Sequence, residues 1–240
     1  MTERAEDLQL AALFAFTVLC SLRDEWGGAL VVACGLGPGG AALSIAANIA
    51  GAASLAIDER AEVCRAALRL GACDFVVNSV DEALRVLKNE LRQRRPVSVA
   101  LTLAESAALG ELVERGVLPE LFASFGADTG DAGRAAKAFA ASGSLIVHFE
   151  DSFSALADAI DGSARLEAFA LDRRLHLESF SFASAEELRV FDARLLDVIP
   201  APDARRRWCV AAPRFFHRER PFRRVVYLTA NELAQLKSGL

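Results

Sequence analysis

The stretch Ala-Leu-Val-Val-Ala-Cys-Gly-Leu-Gly-Pro-Gly-Gly occupies residues 29–40, and Ser-Leu-Ala-Ile-Asp follows at residues 54–58. The apolar, β-branched residues before the glycines predict a buried strand that runs into a tight turn and then into a helix. A second apolar strand is predicted over residues 53–57, and it ends at an acidic residue, Asp58. This order of strand, turn, helix and strand predicts an α/β protein built on a parallel sheet.

The glycines of this stretch have the spacing G-x-G-x-x-G, in which each position has a steric role. Gly35 permits the tight turn, Gly37 lets the backbone approach a pyrophosphate, and Gly40 lets the helix and strand pack closely. Asp58 would accept hydrogen bonds from a ribose diol and repel a 2′-phosphate, so the pattern favours NAD over NADP. The predicted cofactor-binding residues are Gly35, Leu36, Gly37, Gly39, Gly40 and Asp58. A structural alternative stays open, because Pro38 lacks an N–H and such a turn can serve packing alone.

Strands and helices alternate through the first half of the chain. After a helix over residues 7–22 and the central unit, strands are predicted over residues 75–78, 97–102 and 121–124, with helices between them. This rhythm predicts a doubly wound, Rossmann-like α/β fold with a mostly parallel sheet and helices on both faces.

The second half of the chain is less regular. A turn-rich loop over residues 128–134, a strand over 144–149, a helix over 152–169, an interrupted extended segment over 175–182 and a strand over 225–228 are predicted. Ser79, Ser184 and Thr229 each precede a glutamate by three residues, which predicts a capping box at the start of three helices. No repeat or low-complexity linker separates the halves, so we expect them to be continuous.

Composition limits the classes of function. The chain has 240 residues, of which 53% are hydrophobic. This apolar excess indicates either an unusually large buried fraction or an apolar face covered by a partner, and a homo-oligomer or a protein partner is expected. The net charge of −5 argues against a nucleic-acid partner, which would require a basic excess. Residues 27–57 carry no charge, but seven glycines and Pro38 interrupt them, so two buried elements are expected and no membrane partner. Five widely spaced cysteines and an acidic start indicate reduced thiols and a cytoplasmic location.

Two further groups of residues bear on anion and metal binding. The segment after residue 204 combines arginines with phenylalanines, and Arg218, Arg220 and Arg223 are its candidate anion-binding residues. The alternative is a solvated strand edge whose charge the acidic remainder balances. The three histidines and five cysteines do not have metal-ligand spacing, so no metal site is predicted.

Several collinear blocks of sequence carry a resemblance to a known family. They are Gly35-Leu36-Gly37 with the small residues through Ala42, Asp58, and the segments at residues 69–74, 81–84, 96–99, 111–119 and 220–225. With these blocks the chain resembles urocanase (urocanate hydratase), and specifically the NAD-binding Rossmann-like domain of that enzyme. The resemblance implies a single domain over residues 1–240, with residues 25–127 as the best-matching dinucleotide-binding core and residues 128–240 as a divergent continuation.

The resemblance implies NAD as cofactor, because in urocanase the nicotinamide acts as an electrophile while water adds to the substrate. Departures from the family pattern argue against hydratase activity in this chain. Pro38 and Gly39 stand where the family has glycine and methionine, and residues 124–130 replace a polar Asp-Gln-Thr-Ser-x-His-Asp loop. The catalytic segment Gly-Leu-Pro-x-Arg-Ile-Cys-Trp has no counterpart, since Cys209 follows a tryptophan instead of preceding one. No catalytic residue is therefore assigned, and we expect no autonomous urocanate hydratase activity.

The sequence is compatible with three functions. The first is a urocanase-like protein that binds NAD or another nucleotide at residues 35–40 with Asp58 on the ribose. The second is a non-enzymatic interaction or oligomerisation protein that kept the fold and lost the cofactor. The third is one part of a split urocanate hydratase.

Overall fold

The computed structural model describes residues 7–125, 130–149, 174–217 and 219–238. Its first six strands are β1 Leu30–Cys34, β2 Ala53–Ile57, β3 Phe75–Val77, β4 Ser98–Leu101, β5 Leu121–Phe125 and β6 Leu145–Phe149. The helices among them are α1 Leu8–Leu22, α2 Pro38–Ala50, α3 Ala61–Leu70, α4 Val80–Arg92, α5 Glu105–Glu114 and α6 Gly130–Ala141. The remaining elements are β7 Leu175–Phe182, α7 Ala185–Val198, α8 Ala204–Phe216, β8 Phe222–Thr229 and α9 Ala230–Ser238.

The first six strands form one sheet in the order β3-β4-β2-β1-β5-β6, and all of their pairings are parallel. β1 lies between β2 and β5, with Cys34 opposite Ile57 on one side and Ser124 on the other. The predicted parallel α/β fold is confirmed. Its strand order differs from a simple sequential winding, because β4 lies between β2 and β3.

Helices cover both faces of this sheet, as predicted. On one face, Val31 and Ala33 of β1 belong to a core cluster that includes residues of α1, α2 and α3. On the other face, Leu30 and Val32 pack in a second cluster with α4, α5 and α6. Successive side chains of a strand point to opposite faces, so a strand buried on both sides carries an uninterrupted apolar run.

The C-terminal elements pack against the α1 and α2 face. β7 and β8 form an antiparallel pair, and the cluster that contains α2 also contains Trp208 and Val226. Side chains from elsewhere satisfy the outer edge of β8: Gln9 Oε1 accepts from Val225 N at 2.8 Å, and Trp208 Nε1 donates to Val225 O at 2.9 Å. The two halves thus share one core, although the predicted single-domain boundaries stay a prediction.

The structure confirms the local helix signals and differs from the sequence prediction in two places. Ser79, Ser184 and Thr229 each accept a hydrogen bond from the glutamate N–H three residues later. Residues 130–134, expected to be loop, begin α6, because the alanine-rich run after them buries Ala135 and Phe139. α8 also lies where no helix was predicted. The helix predicted over residues 152–169 lies outside the described residues.

None of the helices in the described ranges is both long enough and apolar enough to cross a membrane.

Candidate nucleotide-binding site

The turn after β1 requires glycine at two of its predicted positions. Gly35 has φ +91°, and its N–H donates to Ile57 O at 2.8 Å. A Cβ on Gly40 would lie 2.1 Å from Gly35 O, so only glycine permits this contact between the turn and α2. These are the steric roles that the sequence predicted for the two residues.

Gly37 differs from its neighbours because neither its conformation nor its surroundings require glycine. It is the N-cap of α2 with φ −64°, and a Cβ there would meet no described atom within 4 Å. Open space at the N-terminus of a helix is where N–H groups and the helix dipole favour an anion. Pro38 occupies the first turn without contributing a donor.

The turn lies at the carboxyl edge of the sheet, between the ends of β2 and β5. Connections from β1 and β2 lead to one side of the sheet, whereas β5 and β6 lie on the other side. In doubly wound sheets, ligands bind in the crevice at this change of direction. The position therefore agrees with a ligand site.

Asp58 is buried at the end of β2, and its carboxylate is already engaged. Oδ2 accepts from Leu36 N at 2.9 Å and from Arg60 Nη2 at 2.7 Å. Oδ1 accepts from the Arg60 backbone N at 3.1 Å and from Arg60 Nε at 2.9 Å. Asp58 thus joins the glycine turn to the start of α3. Its predicted contact with a ribose stays a prediction that requires Arg60 to release part of the carboxylate.

The electrostatics of this pair follow from the same contacts. Burial by itself would raise the pKa of Asp58, but the hydrogen bonds from Arg60 and Leu36 outweigh it and lower the pKa. The Asp58 side chain is 3% exposed, whereas the Arg60 side chain is 57% exposed. The group that this pair presents to solvent is therefore a guanidinium. The spacing Asp-x-Arg before α3 is the sequence signal for this pair, and Arg60 was not among the predicted site residues.

Arg60 also lines a cavity of about 710 Å³ that begins at the glycine turn. Leu36, Gly37 and Pro38 form its upper part, and α3 contributes Val63 to a mainly apolar wall. A cavity of this volume lies in the usual range for small-ligand sites, roughly 300–1,000 Å³.

The other side of the turn is covered by an aromatic ring. Phe125, the last residue of β5, has ring atoms Cε1 and Cδ1 at 2.6 and 2.7 Å from the position that a Cβ on Gly39 would take. The ring therefore packs directly on the first turn of α2. No feature of the local sequence predicted this contact.

The candidate anion-binding arginines lie in other surroundings. Arg223 forms salt bridges with Asp7 and Glu219, the latter at 2.7 Å. Arg220 lies over the Phe222 ring at 3.6 Å and donates to Glu219 O at 2.9 Å. Arg218 is outside the described residues. Anion binding by these residues stays a prediction, and the paired carboxylates of Arg223 reduce its attraction for an anion.

The cysteines do not resemble activated nucleophiles. Cys34, Cys64, Cys73 and Cys209 are buried, and Cys20 is half-buried. Burial raises the pKa of the Cys209 thiol to about 12 and that of Cys73 to about 12, which opposes thiolate formation. Among the described residues no group of three or more His, Cys, Asp or Glu could hold a metal ion.

The two sides of the glycine turn differ. Open space at Gly37 and the cavity beside Arg60 adjoin the turn. The Phe125 ring occupies the β5 side. A comparison with protein families finds that residues 12–127 match the Urocanase Rossmann-like domain.

Proposed function

Because residues 12–127 belong to the urocanase Rossmann-like domain family, a domain known to bind NAD, we propose that this chain binds NAD or another adenine nucleotide at residues 35–40. The observation that carries the proposal is the glycine turn. Gly40 is required by its contact with Gly35, whereas Gly37 has no described neighbour within 4 Å of its Cβ position. Gly37 is therefore not required by packing, although Gly40, three residues later, is. Such a glycine is expected where a ligand approaches the backbone.

Gly37 and Gly39 would lie against the phosphates, and the N-terminus of α2 would supply the favourable dipole. Leu36 N donates its hydrogen bond to Asp58, so this amide stabilises the turn and is already used as a donor. Arg60 would contact the nucleoside, either by stacking on the base or by donating to the ribose. NAD, when bound, supplies an electrophilic nicotinamide ring.

The proposal includes the absence of autonomous urocanate hydratase activity. Its support is that Cys209, which follows Trp208, is buried and that burial raises the pKa of its thiol. The measurement is the loss of urocanate absorbance with purified protein and added NAD. Turnover by this chain alone would refute that part of the proposal and leave nucleotide binding intact.

The binding test is a thermal-shift titration with NAD, NADH, NADP, ATP and ADP-ribose. A ligand at a hundredfold excess over its dissociation constant adds about 2.7 kcal/mol, which for a chain of this size raises the midpoint by about 5–11 °C. A shift with NAD but not with NADP would support the assignment of Asp58 to the ribose. No shift with any of these ligands would refute the proposal.

The variant Gly37→Leu makes this test specific. A side chain at residue 37 meets ordinary backbone geometry and open space, so the variant should fold and should lose nucleotide binding. Gly110→Ala is the matched control, because Gly110 in α5 also has no described neighbour within 4 Å of its Cβ position. Gly110→Ala should bind as the original protein does.

A second candidate function is an interaction surface. Leu68, Leu70 and Phe75 are 42%, 55% and 48% exposed within eight residues of chain, at the end of α3 and the start of the edge strand β3. Exposed apolar side chains grouped in this way are expected at protein contacts. If this candidate is correct, the protein forms an oligomer, and the double variant Leu68→Ser, Phe75→Ser should have a lower mass in light scattering. Gly37→Leu should have the same mass as the original protein.

A further inference from the structure

Phe125 packs on the glycine turn from the end of β5. Two of its ring atoms lie 2.6 and 2.7 Å from the position that a Cβ on Gly39 would take. The Phe125 carbonyl oxygen lies 3.1 Å from the position that a Cβ on Gly35 would take. Ser124, the preceding residue, pairs with Cys34 at the end of β1. The ring therefore covers the first turn of α2 from the side of β5.

This side is the one that the second half of a dinucleotide must reach. In doubly wound folds the acid after β2 marks the ribose of the adenosine half, and the rest of the ligand crosses the end of β1. Here β2 and β5 flank β1 on opposite sides. A dinucleotide held at Asp58 and Gly37 would therefore extend past the pyrophosphate toward Phe125.

The β2 side offers the opposite environment. The cavity of about 710 Å³ opens beside Gly37 and is lined by Arg60, by Glu62 and by apolar side chains of α3. A purine ring and a ribose require less volume than this. The guanidinium of Arg60, 57% exposed, is a planar cation suited to stacking on a base.

We propose that Phe125 restricts this site to the adenosine-phosphate half of a dinucleotide, so that the chain binds ADP more tightly than NAD. This inference rests on the proposed function and narrows its ligand class. Binding of the complete dinucleotide requires the Phe125 ring to leave its packing on Gly39. Binding of ADP leaves the ring in place.

The experiment measures dissociation constants of ADP and NAD by calorimetry for the original chain and for Phe125→Ala. The ratio of the NAD constant to the ADP constant cancels effects common to both ligands. We expect this ratio to fall by about tenfold in Phe125→Ala, since the apolar contacts of one ring are worth at least that factor. The ADP constant itself should change by no more than about twofold.

Two further variants separate the role of the ring from its role in packing. Phe125→Leu keeps apolar bulk on Gly39, so its ratio should stay near that of the original chain. Phe222→Ala removes another half-buried phenylalanine, on β8 of the C-terminal antiparallel pair, and should change neither constant. A measurement on the original chain serves even if Phe125→Ala does not fold: calorimetry on the ADP-saturated chain should detect no binding of nicotinamide mononucleotide at millimolar concentration.

The outcomes distinguish the two proposals. Equal affinity for NAD and ADP, unchanged in Phe125→Ala, would overturn the role of Phe125 and leave nucleotide binding established. Binding of nicotinamide mononucleotide to the ADP-saturated chain would also overturn it. Binding of neither ADP nor NAD by the original chain would overturn the proposed function and this inference together.

Discussion

Gly40→Ala is the sharpest test of how the glycine turn is built. The added methyl group would lie 2.1 Å from Gly35 O, whereas real Cβ atoms essentially never approach closer than 3.0 Å. The start of α2 and the end of β1 must therefore move apart by about 0.9 Å. Because Gly35 N is bonded to Ile57 O, this movement also strains the contact between β1 and β2.

The magnitude follows from two opposing effects. Overpacking by one methyl group destabilises a core by about 1–3 kcal/mol, and the higher helix propensity of alanine offsets this by at most about 1 kcal/mol. We expect a net loss of about 1–2 kcal/mol in the free energy of unfolding, which corresponds to a midpoint lower by about 2–8 °C. Nucleotide affinity should fall as well, because the first turn of α2 is displaced.

The assay is urea denaturation followed by circular dichroism, with Gly110→Ala as control. Gly110 lies inside α5 and a Cβ there meets no described atom within 4 Å, so alanine should stabilise this helix by up to about 1 kcal/mol. The two substitutions are chemically identical and should have opposite signs. A Gly40→Ala protein as stable as the original would refute the argument from the Gly35 contact.

Three other predictions concern the ion pairs and thiols. Asp58→Asn should destabilise the protein by about 1–3 kcal/mol at pH 7, because the donors on Leu36 and Arg60 lose a charged acceptor. The lowered pKa of Asp58 means that its contribution is present above the unfolded pKa near ~4 and disappears as the pH falls through the folded value. The difference between Asp58→Asn and the original protein should therefore shrink in denaturation at pH 3, and a constant difference would contradict the assignment. Asp192→Ala should cost about 3–5 kcal/mol, since it leaves the fully buried Arg224 without its carboxylate, and adding Arg224→Met should restore most of the loss in a double-mutant cycle. In native protein a thiol reagent should label Cys20 first and the four buried cysteines only on unfolding, and rapid labelling of Cys209 would show that the C-terminal core is open.

Two groups of charged residues have partners that their sequence patterns did not identify. Asp58 stands at the predicted end of β2, yet its partners are Leu36 on the preceding turn and the side chain of Arg60. An acidic residue that binds a ribose and one that stabilises a turn have the same sequence pattern. Only the tertiary structure shows that all of these donors already bind this carboxylate.

The arginines near the C-terminus give a second example. In sequence they form a basic cluster interleaved with phenylalanines, which suggested an anion site. In the fold, Arg205 pairs with Asp203 and Glu232, Arg223 pairs with Asp7, and Arg224 pairs with Asp192. Most of these partners lie far away in the chain, so their pairing could not be predicted from local charge. A carboxylate therefore already balances the charge of each of these three arginines.

The sequence by itself determined the parallel sheet, the glycine turn and the capped starts of three helices. Each depends on residues close in the chain: apolar runs bury strands on both faces, Gly35 permits a positive φ, and a capping side chain reaches an N–H three residues away. The tertiary structure decided that β4 inserts between β2 and β3, that Leu36 N after β1 donates to Asp58 after β2 and that Phe125 covers Gly39. These are contacts between segments brought together only when the sheet assembles, because packing selects the partners that fit and local propensity does not encode them.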